Sequence, residues 1–441
     1  MTQTSDPWEK IRLQFDALPY PDLPLEQTPG DHPAYLSVHS CVIPYYLRDR
    51  RVIDPQGRLI LDAGCGSGFR ALALAKANPG AHIVGVDISA KSVELAQKRV
   101  EYHGLQADIE FHCLPLEDLS ALGNAFDYIN CDETLYLLPD PAAGLRAMQA
   151  VLKPEGIIRV NLHSWFQRED CYRVQALLKQ IGCMQGKDLD EEIALVRQTM
   201  EALQEQVLTK KMLWNQTPLF KTESELVAAN FLLRGDKGFT MLEFADLLRQ
   251  ANLELINMVN WREWNLEKLF KNVEDLPISI ALGLADMSFA EQLHMHDLLH
   301  PVHRLLDLYC GNPGQGAERP PIEDWTVDYW QRAKVHLHPQ LRTPEFQKIL
   351  AAGTRKLGTI PLHEHFPIAN QQLNLDDSIA GCLYPLLEQP LSIRELGDRW
   401  RQIHPVDPAT LEAIPPQQAF LTMQGVLTQL ETAGYLLIEL V

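Results

Sequence analysis

The sequence predicts an α/β fold, a doubly wound and mostly parallel sheet with a helical insertion and a mainly α C-terminal domain. Three observations predict it. From residue 59 onward, short apolar runs of strand length alternate with amphipathic stretches of helix length. Glycines stand at 64, 66 and 68, where the first apolar run has to turn into a helix. The helical stretches close on Pro79-Gly80, Gly104 and the Pro154 to Gly156 turn. Strands that alternate with helices of this length make right-handed βαβ units, whose parallel sheet is covered on both faces.

The strand-like runs are LILDAG (59–64), HIVGVDI (82–88), IEFHCL (109–114), FDYINCD (126–132) and GIIRVNL (156–162). Between them, FRALALAKAN, SAKSVELAQKRVEYHG and AAGLRAMQAVLKPEG carry the 3.6-residue period. In the second of these, Val93, Ala96 and Val100 share a face, Ser89 is placed as the N-cap and Gly104 as the stop. These elements define a core over 51–164. Before it, 1–50 is rich in proline and aromatics, and each X-Pro disfavours helix at the preceding residue. An extended cap is expected there, anchored by Trp8, Phe15, Tyr20 and Tyr35.

Residues 165–235 have long helical periodicity without strand-like runs and read as a helical insertion. A helix and a strand over 236–265, with Thr240 near a cap, then end the sheet. Residues 266–359 read as helical with the linker GNPGQGAERPP (311–321). The segment 360–441 reads as helix, helix and final strand, compatible with a winged-helix-like module.

Charge narrows the partners. The chain has 39 Lys and Arg against 58 Asp and Glu, a formal −19 over 441 residues, whereas non-specific nucleic-acid affinity comes from cations. The last module holds three Arg and no Lys against ten acids, so a DNA-reading face is not expected. No apolar run reaches a membrane-spanning eighteen residues. Eight scattered cysteines without C-x-x-C fit a reduced compartment. A cytoplasmic protein binding neither nucleic acid nor membrane is the expectation.

The chemistry centres on LILDAGCGSGFRALALA. Glycines at 64, 66 and 68 allow a sharp strand-to-helix turn against which a ligand lies. Asp62 precedes the turn, and an acid there suits a positively charged group, such as an ammonium, better than a pyrophosphate. Asp87, at the tip of the second strand with Ile88 after it, is placed to accept hydrogen bonds from both hydroxyls of a ribose. Glu117 and Asp118 follow the third strand, where they would face an adenine amino group, with a backbone N–H near Leu116 serving the ring nitrogen. In a doubly wound sheet these carboxyl ends meet in one crevice.

Taken together, these residues resemble the class I S-adenosylmethionine-dependent methyltransferases, a Rossmann-like family. Asp62 to Gly68 matches the family's first motif, Asp87 its ribose acid, Glu117-Asp118 its adenine segment, and Leu152-Lys153-Pro154-Glu155-Gly156 the turn before strand five. The match covers about 50–165, with a weaker continuation to 264. One departure is Pro115, where family members often carry an acid directly after strand three. The resemblance implies S-adenosylmethionine as cofactor and methyl transfer as the reaction. A fainter likeness reaches bacterial protein-modifying members, the protein-lysine methyltransferases and the phycobiliprotein asparagine methyltransferase.

The acceptor side is less legible. His163 follows the fifth strand as a candidate base, with Asp132 at the end of the fourth strand and Tyr20 in the cap as further catalytic candidates. Glu133, Tyr136, Asn161 and Trp165 lie at the same strand ends, and Tyr35, Tyr45 and Tyr46 are placed to close the pocket or pack a core. His296, His300 and His303 stand at helical spacing, but Pro301 interrupts them and no metal site is expected. About half the chain lies outside the core, which suits gripping a macromolecule or forming a homodimer. A protein side chain, N-methylated, is therefore the leading acceptor. A small-metabolite methyltransferase and a non-catalytic cofactor- or partner-binding module are the alternatives.

Overall fold

The computed structural model describes residues 12–440 except 14, 17–18, 31, 106–107, 124, 185–187, 318, 354–357, 367–372 and 408. Trp8, expected as an anchor, lies outside the described residues.

Seven strands form the central sheet: β1 (Leu59–Ala63), β2 (His82–Asp87), β3 (Ile109–Cys113), β4 (Phe126–Cys131), β5 (Leu152–His163), β6 (Glu254–Met258) and β7 (Leu305–Gly311). Their order is β3-β2-β1-β4-β5-β7-β6, and β7 alone runs antiparallel to its neighbours. The inner strands are buried on both faces: β4 has no accessible residue, and β1 has only its first half-exposed. That burial is why they read in the sequence as continuous apolar runs.

Local chemistry sets the helix starts. Ser89 caps the helix Ala90–Tyr102 by accepting from Ser92 N, and Asp140 caps Pro141–Ala150 by accepting from Ala142 N. Thr240 and Glu243 form a reciprocal capping box on Met241–Gln250. Gly68 opens Phe69–Ala77 at φ 82°, and a Cβ there would press on Ala96 of the neighbouring helix. A backbone turn this tight between two packed helices requires glycine.

The helical insertion consists of Trp165–Gln180, Leu189–Ala202, a π-helical turn Lys210–Trp214 and Ser224–Phe231, packed on Trp214, Phe220 and Phe231.

Three expectations need correction. The sheet does not end by 265, and 266–359 is not simply helical: Leu305–Gly311 pairs between β5 and β6, so the sheet closes only at 311. The C-terminal unit starts before 360, because its core begins at Ile322 and includes β8 (Ala333–Leu337). With β9 (Thr359–Pro361) and β10 (Asn374–Asp376) forming a separate ribbon, β8 lies between β11 (Leu391–Ser392) and β12 (Leu436–Leu440). Helices Asp377–Leu383, Ile393–Ile403 and Pro416–Thr432 complete the unit, an arrangement compatible with a winged-helix-like module. Finally, 1–50 is not irregular throughout. Val42–Asp49 is a buried helix; the Tyr45 hydroxyl donates to the Asp127 carbonyl and that of Tyr46 to Glu431. Those two tyrosines therefore belong to the core and not to a pocket lid. No helix among the described residues is long and apolar enough to cross a membrane.

Candidate functional site

The carboxyl ends of β1, β2 and β4 converge on one pocket. At one end its wall is polar, made by Tyr20, Gly64, Gly66, Arg70, Asp132, Glu133 and Thr134. At the other it is apolar, with Phe15, Ile88, Leu114, Pro115 and Leu116 around Asp87.

The glycine turn brings the two ends together. Gly64 and Gly66 have φ of 86° and 51°. A Cβ on Gly64 would collide with the Thr134 side chain, and one on Gly66 with the Tyr20 carbonyl. Asp87 is oriented by this loop, because its Oδ2 accepts from Gly66 N at 2.9 Å and its Oδ1 from Ser89 N at 2.8 Å. Each oxygen keeps a lone pair for a further donor. Asp62 is 1% exposed; its Oδ1 accepts from Asn130 Nδ2 at 3.0 Å, and its Oδ2 has no partner among the described residues. Burial raises this carboxyl to about 6. A buried carboxylate oxygen without a donor is costly; Asp62 itself, two residues before the lining residue Gly64, is outside the pocket lining.

Residues 20–25 cross the glycine loop as a strap. Ser67 N donates to the Tyr20 carbonyl at 3.0 Å and Ser67 Oγ to that of Pro21 at 2.8 Å. Arg99 ties the two segments together. Its Nε donates to the Ser67 carbonyl at 2.9 Å, and its two terminal nitrogens to those of Pro24 and Leu23, both at 2.7 Å. Further along, Ser89 Oγ donates to Asp16 at 2.6 Å, beside the pocket residue Phe15.

Glu117 and Asp118, expected at the adenine position, do not line the pocket; they form the first turn of the 3-10 helix Leu116–Leu122. Pro115 in extended conformation directs Leu114 to Leu116 inward instead. Gly68 lies outside the lining as well and serves the helix packing described above.

The three catalytic candidates divide. Tyr20 and Asp132 line the pocket. Asp132 accepts from Arg70 Nε at 2.7 Å and Asn161 Nδ2 at 2.6 Å, with Arg159 at 3.6 Å, and the guanidinium groups hold its carboxyl far below the ordinary range. His163 is 1% exposed and outside the lining. Its Nδ1 is 2.7 Å from Asp236, its Nε2 accepts from Arg304 at 3.0 Å, and Tyr136 stacks on its ring at 3.8 Å. Burial lowers its pKa. Both nitrogens are engaged, so this neutral ring is a structural link and has no lone pair left for a substrate proton.

Sequence reasoning named Glu133 at the end of the fourth strand but missed Arg70 and Arg304. Glu133 takes φ 58°, a backbone rare outside glycine and asparagine, and its carboxylate joins Arg304 and the Tyr136 hydroxyl. The signal for Arg70 was its place two residues after the third glycine; Arg304 had none, standing just before the unforeseen β7. His296, His300 and His303 gather around Trp264, with centroid distances of 5.1 Å and 4.8 Å for His296 and His303 on the indole.

Residues 55–245 match the family model of a methyltransferase domain. An uncharacterized protein of Synechococcus sp. is 32% identical over 198 residues, which is 44% of this chain and 46% of that protein. A ubiquinone biosynthesis O-methyltransferase of Neisseria meningitidis is 37% identical over 106 residues, 24% of this chain and 44% of its own. The chain thus spans less than half the length of these curated relatives. Among solved structures, PKMT2 from Rickettsia typhi covers 91% of this chain and 75% of its own with a TM-score of 0.60 at 15% identity, a likeness of fold. The same protein in complex with AdoHcy gives 0.58 at 16% identity over 93% of this chain and 75% of that one. The matched segment, the strand order and the glycine turn agree: residues 55–245 form a methyltransferase domain with the Rossmann-like fold.

Proposed function

We propose that the chain transfers the methyl group of S-adenosylmethionine to a nitrogen on a protein side chain. The observation that carries the cofactor reading is the pair of acids at the glycine turn: Asp62, with a buried and unpartnered oxygen, and Asp87, held in place by Gly66 N and Ser89 N. The residues fit the group. Asp62 would accept from its ammonium and Asp87 from its ribose hydroxyls, and Ile88 and Leu114 to Leu116 would sandwich its adenine. Bound there, the cofactor supplies an activated methyl group, so the protein's share is alignment and exclusion of water.

That division suits this site. His163 is locked, and Asp132 and Glu133 are neutralised by Arg70, Arg159 and Arg304, so the crevice offers orientation and not a strong base. The strap sheds water by covering the glycine loop. A protein acceptor is supported by the extent of the likeness to PKMT2, 91% of the chain, against 24% for the ubiquinone O-methyltransferase match. A small-metabolite acceptor is the second reading, favoured by the higher identity of that shorter match. A cytoplasmic setting is the reading that eight free cysteines, one of them exposed Cys113, support.

The test is incubation of purified protein with radiolabelled S-adenosylmethionine and a source lysate, followed by size separation. Label in a protein band, recovered on hydrolysis as an N-methyl amino acid, supports the proposal. Label confined to the small-molecule fraction transfers the assignment to the second reading. Absence of label with the cofactor bound would speak for a non-catalytic module.

A further inference from the structure

The C-terminal unit does not close flush on the methyltransferase domain. Between them runs a groove, formed on one side by the chain before β1 and the end of the helix Phe69–Ala77, and on the other by β8 and the turn after it. Leu36, Val42, Ile53 and Ala77 line it although each is buried, so its floor is concave and apolar. It shares no residue with the pocket at the glycine turn, which lies at the other end of that helix. Clefts between packed units are a common place for small ligands.

Two polar side chains on its wall are left with unused capacity. Gln340 is 8% exposed, and its Nε2 donates at 3.0 Å to the carbonyl of Ala77, one of those that a helix end leaves without an internal partner. That bond fixes the amide, and its Oε1 has no partner among the described residues. Arg342 makes no side-chain hydrogen bond or ion pair among the described residues; partial desolvation lowers its pKa, with no acid to offset it. The other ionisable lining residues are engaged. Lys76 donates to the Gly30 carbonyl, Asp54 accepts from Gln56 N, and His336 is 3.0 Å from Glu439. With Lys76 and Arg342 against Asp54, the lining is net positive in a chain of formal charge −19.

We propose that this groove binds an amphipathic carboxylic acid of the acylamino-acid kind. Its apolar tail lies on the buried floor, its carboxylate pairs with the Arg342 guanidinium, and the amide N–H beside that carboxylate donates to Gln340 Oε1. A hydrocarbon alone would leave Arg342 and Gln340 unanswered, and a small anion alone would leave the apolar floor wet. A planar guanidinium matches a carboxylate with two parallel hydrogen bonds.

The experiment is calorimetric titration of the full chain with N-decanoylglycine, which has all three features, with its methyl ester, which lacks the charge, and with decanoate, which lacks the N–H. N-decanoylglycine should bind one molecule per chain, the ester at least about tenfold more weakly and decanoate a few-fold more weakly. Arg342→Glu reverses an exposed charge, and Pro390→Trp fills the groove from its exposed rim. Each should weaken N-decanoylglycine by at least about tenfold while keeping the parent's thermal midpoint. Excess S-adenosylhomocysteine should not displace the probe. Absence of saturable binding, an ester as tight as the acid, variants that bind like the parent, or displacement by S-adenosylhomocysteine would each overturn the proposal.

Discussion

Replacing Asp62 by asparagine should stabilise the empty protein and cripple its ligand binding, two effects of opposite sign from one atom exchange. Asp62 Oδ1 accepts from Asn130, and asparagine keeps that acceptor. The exchange falls on Oδ2, which is buried without a donor. Burial raises the carboxyl from the ordinary 3.8 to about 6. The unfolded chain releases this proton near 3.8 and the folded chain holds it to about 6, so the unfolded state binds fewer protons between these values. Stability therefore falls as pH rises through that window, by about 3 kcal/mol once both states are ionised, at about 1.4 kcal/mol per tenfold in proton affinity. Asp62→Asn removes the ionisation, so its gain over the parent should be about 3 kcal/mol near pH 8 and close to nothing near pH 4. Denaturant unfolding at the two pH values measures it. In parallel, S-adenosylhomocysteine should bind the variant at least about tenfold more weakly, since a hydrogen bond between charged groups contributes about 1.5–3 kcal/mol. The parent's affinity should rise with pH through 6 and the variant's should not. A variant destabilised equally at both pH values, or one that binds as tightly as the parent, would refute the reasoning.

Other expectations come from the strap and the locked histidine. Arg99→Met deletes three hydrogen bonds to the Ser67, Leu23 and Pro24 carbonyls and should weaken strap docking by about 2–4 kcal/mol; limited proteolysis over 20–30 should quicken, and an unchanged cleavage rate counts against the latch. Gly66→Ala places a Cβ against the Tyr20 carbonyl at φ 51°, for a cost of about 1–2 kcal/mol read as a lower thermal midpoint; a midpoint equal to the parent's would show that the strap moves aside freely. His163→Gln should cost about 1–3 kcal/mol of stability by removing one of the side-chain partners of Asp236, which keeps Arg168 and Gln175, yet leave methyl transfer per folded molecule within a few-fold; a loss beyond about a hundredfold would restore the histidine as a base.

What the sequence displayed and what it concealed divide by range. β1 to β5 show themselves because strands buried on both faces cannot carry polar residues in alternation, and the caps at Ser89 and Thr240 act within three residues of themselves. The glycine turn is legible for the same reason, its demands being local φ values and close approach. β7 is concealed because nothing in LLDLYCG says that it slots antiparallel between β5 and a strand some fifty residues earlier. Asp132 was visible as a strand-end acid, but the pairing that holds it ionised depends on Arg70 and Arg159, and that of Glu133 likewise on Arg304, the residue just before β7. His163 looked available because both of its partners, Asp236 and Arg304, lie far along the chain. At Glu117 the local pattern showed an acid after the third strand but not that Pro115, in extended conformation, would leave Leu114 to Leu116 on the pocket wall.

The charge balance of the crevice bears on what it takes. Arg70 and Arg159 meet Asp132 and Asp307 in a buried cluster, and the exposed Arg304 meets Glu133 at its edge, so three guanidinium groups and three carboxylates offset one another. Asp62 is the odd acid beside this set. A ligand bringing only a negative group would leave Asp62 burying a carboxyl without a counter-charge; one bringing a positive group would supply it. The ion network, which spans from the glycine-turn helix across β4 and β5 to β7, is in this view the part of the fold that balances its own charges and leaves Asp62 over. Its antiparallel seventh strand, the element the sequence hid best, supplies Asp307, which holds Arg159 at 2.7 Å while Arg70 holds Asp132 at the same distance.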